Sequence, residues 1–220
     1  MQYLSGYFWR REEEVSLVLK HLVYPGGEEP VLFGCLGQGE GAVEFCKNLT
    51  DWFYKEGVHC CKKSSVTPED LQEKLRIQLQ VQRDEWKTSQ MEVPAEVDPE
   101  VQQKVPAGAV LCCVGEYFAL WSSVGQQVFL LNTRFGRPNA RLLTDSQREQ
   151  FLCGRLQTGV GILLPASGVS QQMRTEELAE CLAVKTLGDE IRLEKRLREI
   201  GGEAARRGAE RVSSMLVMTC

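Results

Sequence analysis

Short apolar runs bounded by turn residues dominate this 220-residue chain and restrict it to a fold built on sheets. Val15–Val23 and Pro30–Cys35 read as strands separated by Tyr24-Pro25-Gly26-Gly27. The period then changes. Ala42, Phe45, Cys46, Leu49, Trp52 and Phe53 recur at three- and four-residue steps and predict a helix over about 40–55. A second helix opens at Thr67-Pro68-Glu69-Asp70, which supplies an N-cap, a first-turn proline and acids near the positive end of the helix dipole. It carries Leu71, Leu75 and Leu79 on one face and runs to about Trp86. Thr88–Gly108, with Pro94, Pro99 and Pro106, reads as a long surface connection inside one domain. Ala109–Val114, Tyr117–Ser123 and Gln127–Asn132 then read as an antiparallel meander, with Arg141–Leu143 as a further strand. A helical stretch around Asp145–Leu152, a strand at Gly159–Leu164, charged helices at Thr175–Ala183 and Thr186 to about Arg207, and a strand at Val212–Met218 complete the chain. This order favours an α+β fold, antiparallel sheet with helices on its outer faces, over a regular βαβ series.

Composition narrows the function classes. At 43% hydrophobic the chain can bury one large core, so residues 1–220 are read as a single domain. With 26 Lys+Arg against 30 Asp+Glu and a net charge of -4, nothing points to nucleic acid or an anionic membrane as a partner. No apolar run reaches the roughly 20 residues of a membrane span. The opening MQYLSGYFWRREEEV lacks a signal-peptide layout, so a cytoplasmic location is expected. Nine cysteines include the adjacent pairs Cys60-Cys61 and Cys112-Cys113, which suit neither a metal knuckle nor an easy disulfide. With only His21 and His59 to help, the cysteines read as reduced structural thiols.

Local motifs carry little chemistry by themselves. Leu36-Gly37-Gln38-Gly39-Glu40-Gly41 lies between a strand and a helix but lacks the lysine and hydroxyl of a P-loop, so a glycine turn is the better reading. Ala166-Ser167-Gly168-Val169-Ser170 is not a G-x-S-x-G elbow. Glu12-Glu13-Glu14 and the mixed charges of 192–207 read as solvated faces.

Five stretches in order are more telling: Gly6–Glu14, Leu32–Ala42, Val124–Leu131 followed by Leu143-Thr144-Asp145, Leu163–Val169, and Gly208–Val217. Across essentially the whole chain they resemble the metal-dependent protein phosphatases of type 2C, the PPM family. The resemblance implies a four-layer α-β-β-α sandwich, two antiparallel sheets flanked by helices. It also implies a cleft in which two magnesium or manganese ions activate water against phosphoserine or phosphothreonine. Hard divalent cations require converging carboxylates. Carried over residue by residue, the family's acidic positions fall on Glu14, on Leu36 or Gly37, on Gln126, on Ser167 and on Glu210, with Arg211 in place of a neighbouring asparagine.

Two glutamates remain from that set, and Arg211 adds a fixed positive charge. The expectation is a pseudophosphatase with no catalytic residues and no metal cofactor, serving as a protein-binding module for a partner such as a kinase or a phosphoprotein. Glu14 and Glu210 are weak candidates for one metal, set against their pairing with Arg10, Arg11 or Arg211. The alternative is an active magnesium- or manganese-dependent serine/threonine phosphatase with relocated ligands, Asp145 or Asp189, which requires a carboxylate cluster around Gln38. A structural or oligomerising domain with the Gly37 turn in its interface is the third reading.

Overall fold

The computed structural model describes residues 2–11, 14–22, 29–58, 67–91, 106–132, 138–144, 146–183 and 189–219, the side chains of 85–91 excepted. Among these residues ten strands form two antiparallel five-stranded sheets. The first contains, in spatial order, β1 (Tyr3–Phe8), β10 (Ser214–Thr219), β9 (Val160–Pro165), β6 (Val128–Asn132) and β7 (Asn139–Thr144). The second contains β2 (Val15–Leu22), β3 (Val31–Gln38), β4 (Ala107–Val114), β5 (Tyr117–Ser122) and β8 (Gln150–Arg155). Helices α1 (Ala42–Trp52, prolonged by a π turn over Phe53–Gly57) and α2 (Pro68–Met91) cover the second sheet. The short α3 (Ser167–Gln172) and α4 (Thr175–Cys181), with the longer α5 (Glu190–Arg206), cover the first. The result is the four-layer α-β-β-α sandwich expected from the sequence.

Period-two alternation along the strands sorts the apolar residues into three cores. Leu32, Leu36, Leu111, Leu120, Met215 and Val217 lie between the sheets. Their strand neighbours Phe33, Cys35, Val110 and Trp121 point the other way and meet Phe45, Leu49, Leu75 and Leu79 beneath α1 and α2. On the far side Leu163 and Leu216 meet Leu193, Leu197 and Ile200 of α5.

Several elements differ from the sequence reading. Asp145–Leu152 is not helical among its described residues: 146–149 form a bend and Gln150–Arg155 is the edge strand β8, paired with β5. Ser146 and Glu149 imitate a helix start, but pairing with a neighbouring strand decides the conformation. The meander is broken as well. β4 and β5 pair, whereas β6 leaves for the other sheet, where it lies between β9 and β7. β3 does not stop at Cys35 but continues through Leu36 and Gly37 to Gln38, paired with Val15 on one side and Ala107 on the other. The N-terminal stretch supplies β1, and Ser167 opens a helix. The first part of the segment predicted helical from Thr186 lies outside the described residues, as does most of the long connection before β4.

Close backbone approach explains one glycine on the site-forming strands. A Cβ on Gly108 would stand 2.2 Å from the Leu36 carbonyl oxygen, so β3 and β4 fit together only if residue 108 has no side chain. In α5, by contrast, a Cβ on Gly202 would meet nothing within 4 Å. Urea unfolding should therefore separate the two: Gly108→Ala lowers stability by about 3 kcal/mol through forced displacement, while Gly202→Ala raises it by about 0.5–1 kcal/mol through helix propensity.

Candidate functional site

Glu14, Leu36, Gly37, Gln126, Ser167 and Arg211 lie on segments that end at one side of the sandwich, where four chain segments are pinned together. The Ala166 amide donates to the Ser213 carbonyl (2.7 Å), and the Arg10 amide donates to the Ser213 hydroxyl (3.0 Å). The Gly39 amide donates to the Glu14 carbonyl (2.8 Å). Gly168 sits so close to the next segment that a Cβ would lie 2.3 Å from the Arg211 carbonyl oxygen. Ends of β1, β3, β9 and β10 are thus held together, with the β5–β6 turn beside them.

Within this frame Leu36 and Gly37 separate clearly. Leu36 is fully buried and belongs to the core between the sheets, with Val15, Val128, Ala166 and Met215. Gly37 faces outward, where a Cβ would touch Ala42 and Phe45 of α1 at 3.2 Å. Of the two registers left open by the sequence, only Leu36 faces the inter-sheet space. A hydrocarbon side chain stands there.

One step further along the same face, Gln38 crosses from the second sheet to the first. Its Oε1 accepts from the Ser167 amide at 2.7 Å, and its Nε2 donates to Gln126 Oε1 at 2.6 Å. Gln126 in turn donates from Nε2 to the carbonyls of Gln127 (2.7 Å) and Pro165 (2.8 Å). Both side chains are buried. The orientation of each amide follows from its backbone anchors, because Ser167 N–H can only donate and the two carbonyls can only accept. Turning either amide over would set donor against donor. Each such bond contributes about 1 kcal/mol net, and leaving one of these groups unpaired away from water costs more. Gln126 is one of the candidate positions from the sequence, whereas Gln38 enters there only as the centre of the carboxylate cluster that relocated ligands would require. Its signal was its place two residues after Leu36 on a strand, hidden by flanking glycines that imitate a turn.

The charged residues lie outside this clasp. Arg211 Nη2 donates to Glu14 Oε2 at 2.8 Å, with the glutamate side chain 73% exposed and the arginine 36%. At that exposure the pair contributes about 0–1 kcal/mol. Glu210 is exposed. Ser167 contributes its backbone N–H to Gln38, and its carbonyl accepts from the Ser170 hydroxyl. Asp189 caps α5, accepting from the Arg192 amide at 2.8 Å. Arg211 follows the opposite end of that 17-residue helix, and a helix of that length spans about 25 Å. Asp145 lies outside the described residues. Among the described residues no three His, Cys, Asp or Glu side chains group as metal ligands, and Gln38 has amide and backbone partners. No helix is long and apolar enough to cross a membrane, among the residues described.

No protein-family model and no curated protein matches the sequence. Solved structures do match the fold. A serine/threonine phosphatase from S. agalactiae superimposes with a TM-score of 0.67 at 10% identity, over 100% of both chains. The serine-threonine phosphatase 2C of Toxoplasma gondii gives 0.67 at 10% identity, over 98% of this chain and 94% of that one. A C. elegans sex determining protein gives 0.62 at 12% identity, over 99% of this chain and 64% of that one. The architecture described above is therefore that of type 2C phosphatases, and at these identities the likeness concerns the fold.

The clasp generates a sharp expectation. In Gln126→Glu a carboxylate oxygen would face the carbonyls of Gln127 and Pro165, lowering stability at pH 7 by about 3 kcal/mol. Its carboxyl would titrate above the usual range in the folded state, because ionisation there is opposed by burial and by two carbonyl dipoles. The deficit should therefore be smallest in acid and open as pH rises through about 4.3, where the unfolded chain ionises. Urea unfolding of Gln126→Glu across pH 4–8 measures this. Glu14→Gln, which removes only the exposed pair, should change stability by about 1 kcal/mol or less.

Proposed function

We propose that this chain is a phosphatase-fold binding module that does not hydrolyse phosphate esters through paired metal ions and that acts by engaging another protein, a kinase or a phosphoprotein. The observation that carries this reading is the buried Gln38–Gln126 clasp beside Leu36. Two divalent cations a few ångströms apart need several anionic oxygens to offset their mutual repulsion. Here the inter-sheet position offers a hydrocarbon, and the adjacent oxygens belong to neutral amides already engaged by backbone and by each other. Glu14 is engaged by Arg211, whose fixed charge also opposes cation approach. Magnesium or manganese would need Gln38 and Gln126 to exchange paired neutral partners for a charge they cannot neutralise.

A binding role is supported by what the same end shows to solvent. Trp9, Val43 and Val124, on the segments that flank the clasp, expose large apolar side chains. Trp9 is held in place by donation from Nε1 to the Val15 carbonyl. Exposed aromatic and aliphatic groups on a rigid frame are the kind that anchor protein interfaces. The buried, non-disulfide cysteines Cys35, Cys46, Cys112 and Cys113 suit a reducing cytoplasm.

Two assays test the reading together. Isothermal titration with manganese chloride should give no two-site uptake, and a phosphoserine or phosphothreonine peptide should not turn over. Two-site binding accompanied by hydrolysis that Glu14→Ala abolishes would overturn it.

A further inference from the structure

Beneath α1, away from the clasp, two cysteine sulfurs stand 3.3 Å apart: Cys35 Sγ on β3 and Cys46 Sγ on α1. Both are fully buried in the layer between α1 and the second sheet. We propose that Cys35 and Cys46 form a dithiol that a hydroperoxide converts to a disulfide, locking α1 onto β3 across the turn that follows Gln38. The inference uses residues outside the proposed site and stands whether or not that site binds metal.

Three observations support it beyond proximity. The two cysteines belong to different elements joined by the glycine turn and stand 11 positions apart, so the bond would close a short ring containing Leu36, Gln38 and the left-handed glycines Gly39 and Gly41. Their surroundings also divide the labour. The hydrogen bond from the Cys35 thiol holds the Cys46 thiol below its ordinary range against the opposing effect of burial, while burial pushes the Cys35 thiol up. Cys46 is therefore the first to become a thiolate, the reactive form. The Ser16 carbonyl, which accepts from the Cys46 thiol at 3.5 Å, lies on the edge strand β2, and α1 starts at Gly41 without a capping side chain. Local opening of that helix end gives a small peroxide its path.

The chemistry balances as follows. The Cys46 thiolate attacks one peroxide oxygen, the O–O bond breaks and hydroxide leaves, giving a sulfenic acid. Cys35 sulfur then attacks the sulfenic sulfur; the S–S bond forms, the S–O bond breaks, and the hydroxyl departs with the Cys35 proton as water. In sum two thiols and one hydrogen peroxide give one disulfide and two waters.

Treating the full chain with hydrogen peroxide, alkylating under denaturing conditions and digesting without reductant tests this. Cleavage after Glu40 and Glu44 separates Cys35 from Cys46 unless they are bonded. The expected result is a linked pair of peptides bearing Cys35 and Cys46, with a melting temperature about 5 °C above the reduced chain. Cys112→Ser should retain the link and Cys46→Ser should lose it. Recovery of Cys35 and Cys46 alkylated from the oxidised wild-type chain would overturn the proposal, whichever other cysteines react. A linked chain with an unchanged melting temperature would overturn the locking of α1.

Discussion

At the site end, the seam between the two sheets is closed by a run of neutral hydrogen bonds in a place sheltered from water. Gln38 reaches from one sheet to the other, and its two amide atoms are fixed by the Ser167 amide and by Gln126, which is itself fixed by two carbonyls. Low local polarity makes such a chain strong when complete and costly when any member is missing. That single constraint sets the character of the site end. It ties Gln38 of β3 to the β5–β6 turn and to the start of α3, and it leaves the charged side chains Glu14 and Arg211 at the solvent boundary.

Fold and chemistry consequently separate in this molecule. The sandwich rests on three apolar layers and on backbone contacts such as that of Gly108 with Leu36 and of Gly168 with Arg211, none of which involves a charged group. Because the frame does not rest on the side chains of the site end, those side chains can vary without loss of the fold. On the segments that flank the clasp, Trp9, Val43 and Val124 expose apolar side chains.

Much of this was legible in the sequence, and the failures have physical causes. The strand and helix periods placed β2, α1, α2, β4, β5, β9 and α5 because local alternation follows burial. Membership of a sheet is not a local property, so the passage of β6 to the opposite sheet left no mark in Gln127–Asn132 itself. β8 was hidden by a helix-like start at Ser146, and the end of β3 by glycines. Parity along β3 carries the missing signal: Leu32 and Leu36 share a face, which assigns Leu36 to the interior and makes Gln38 the next inward residue. The pairing of Glu14 with Arg211 was among the readings the charges allowed, whereas the partners of Gln126 and Ser167, the Gln38 amide and the Pro165 carbonyl, depend on segments far apart in the chain and follow only from three dimensions.

Anomalous diffraction from a crystal soaked in manganese tests the central claim most directly. The account predicts no anomalous density between the sheets, Leu36 packed in the core, and Gln38 Nε2 still within hydrogen-bonding distance of Gln126 Oε1. Two anomalous peaks about 3.5–4 Å apart, with the two glutamines swung away from each other, would contradict it.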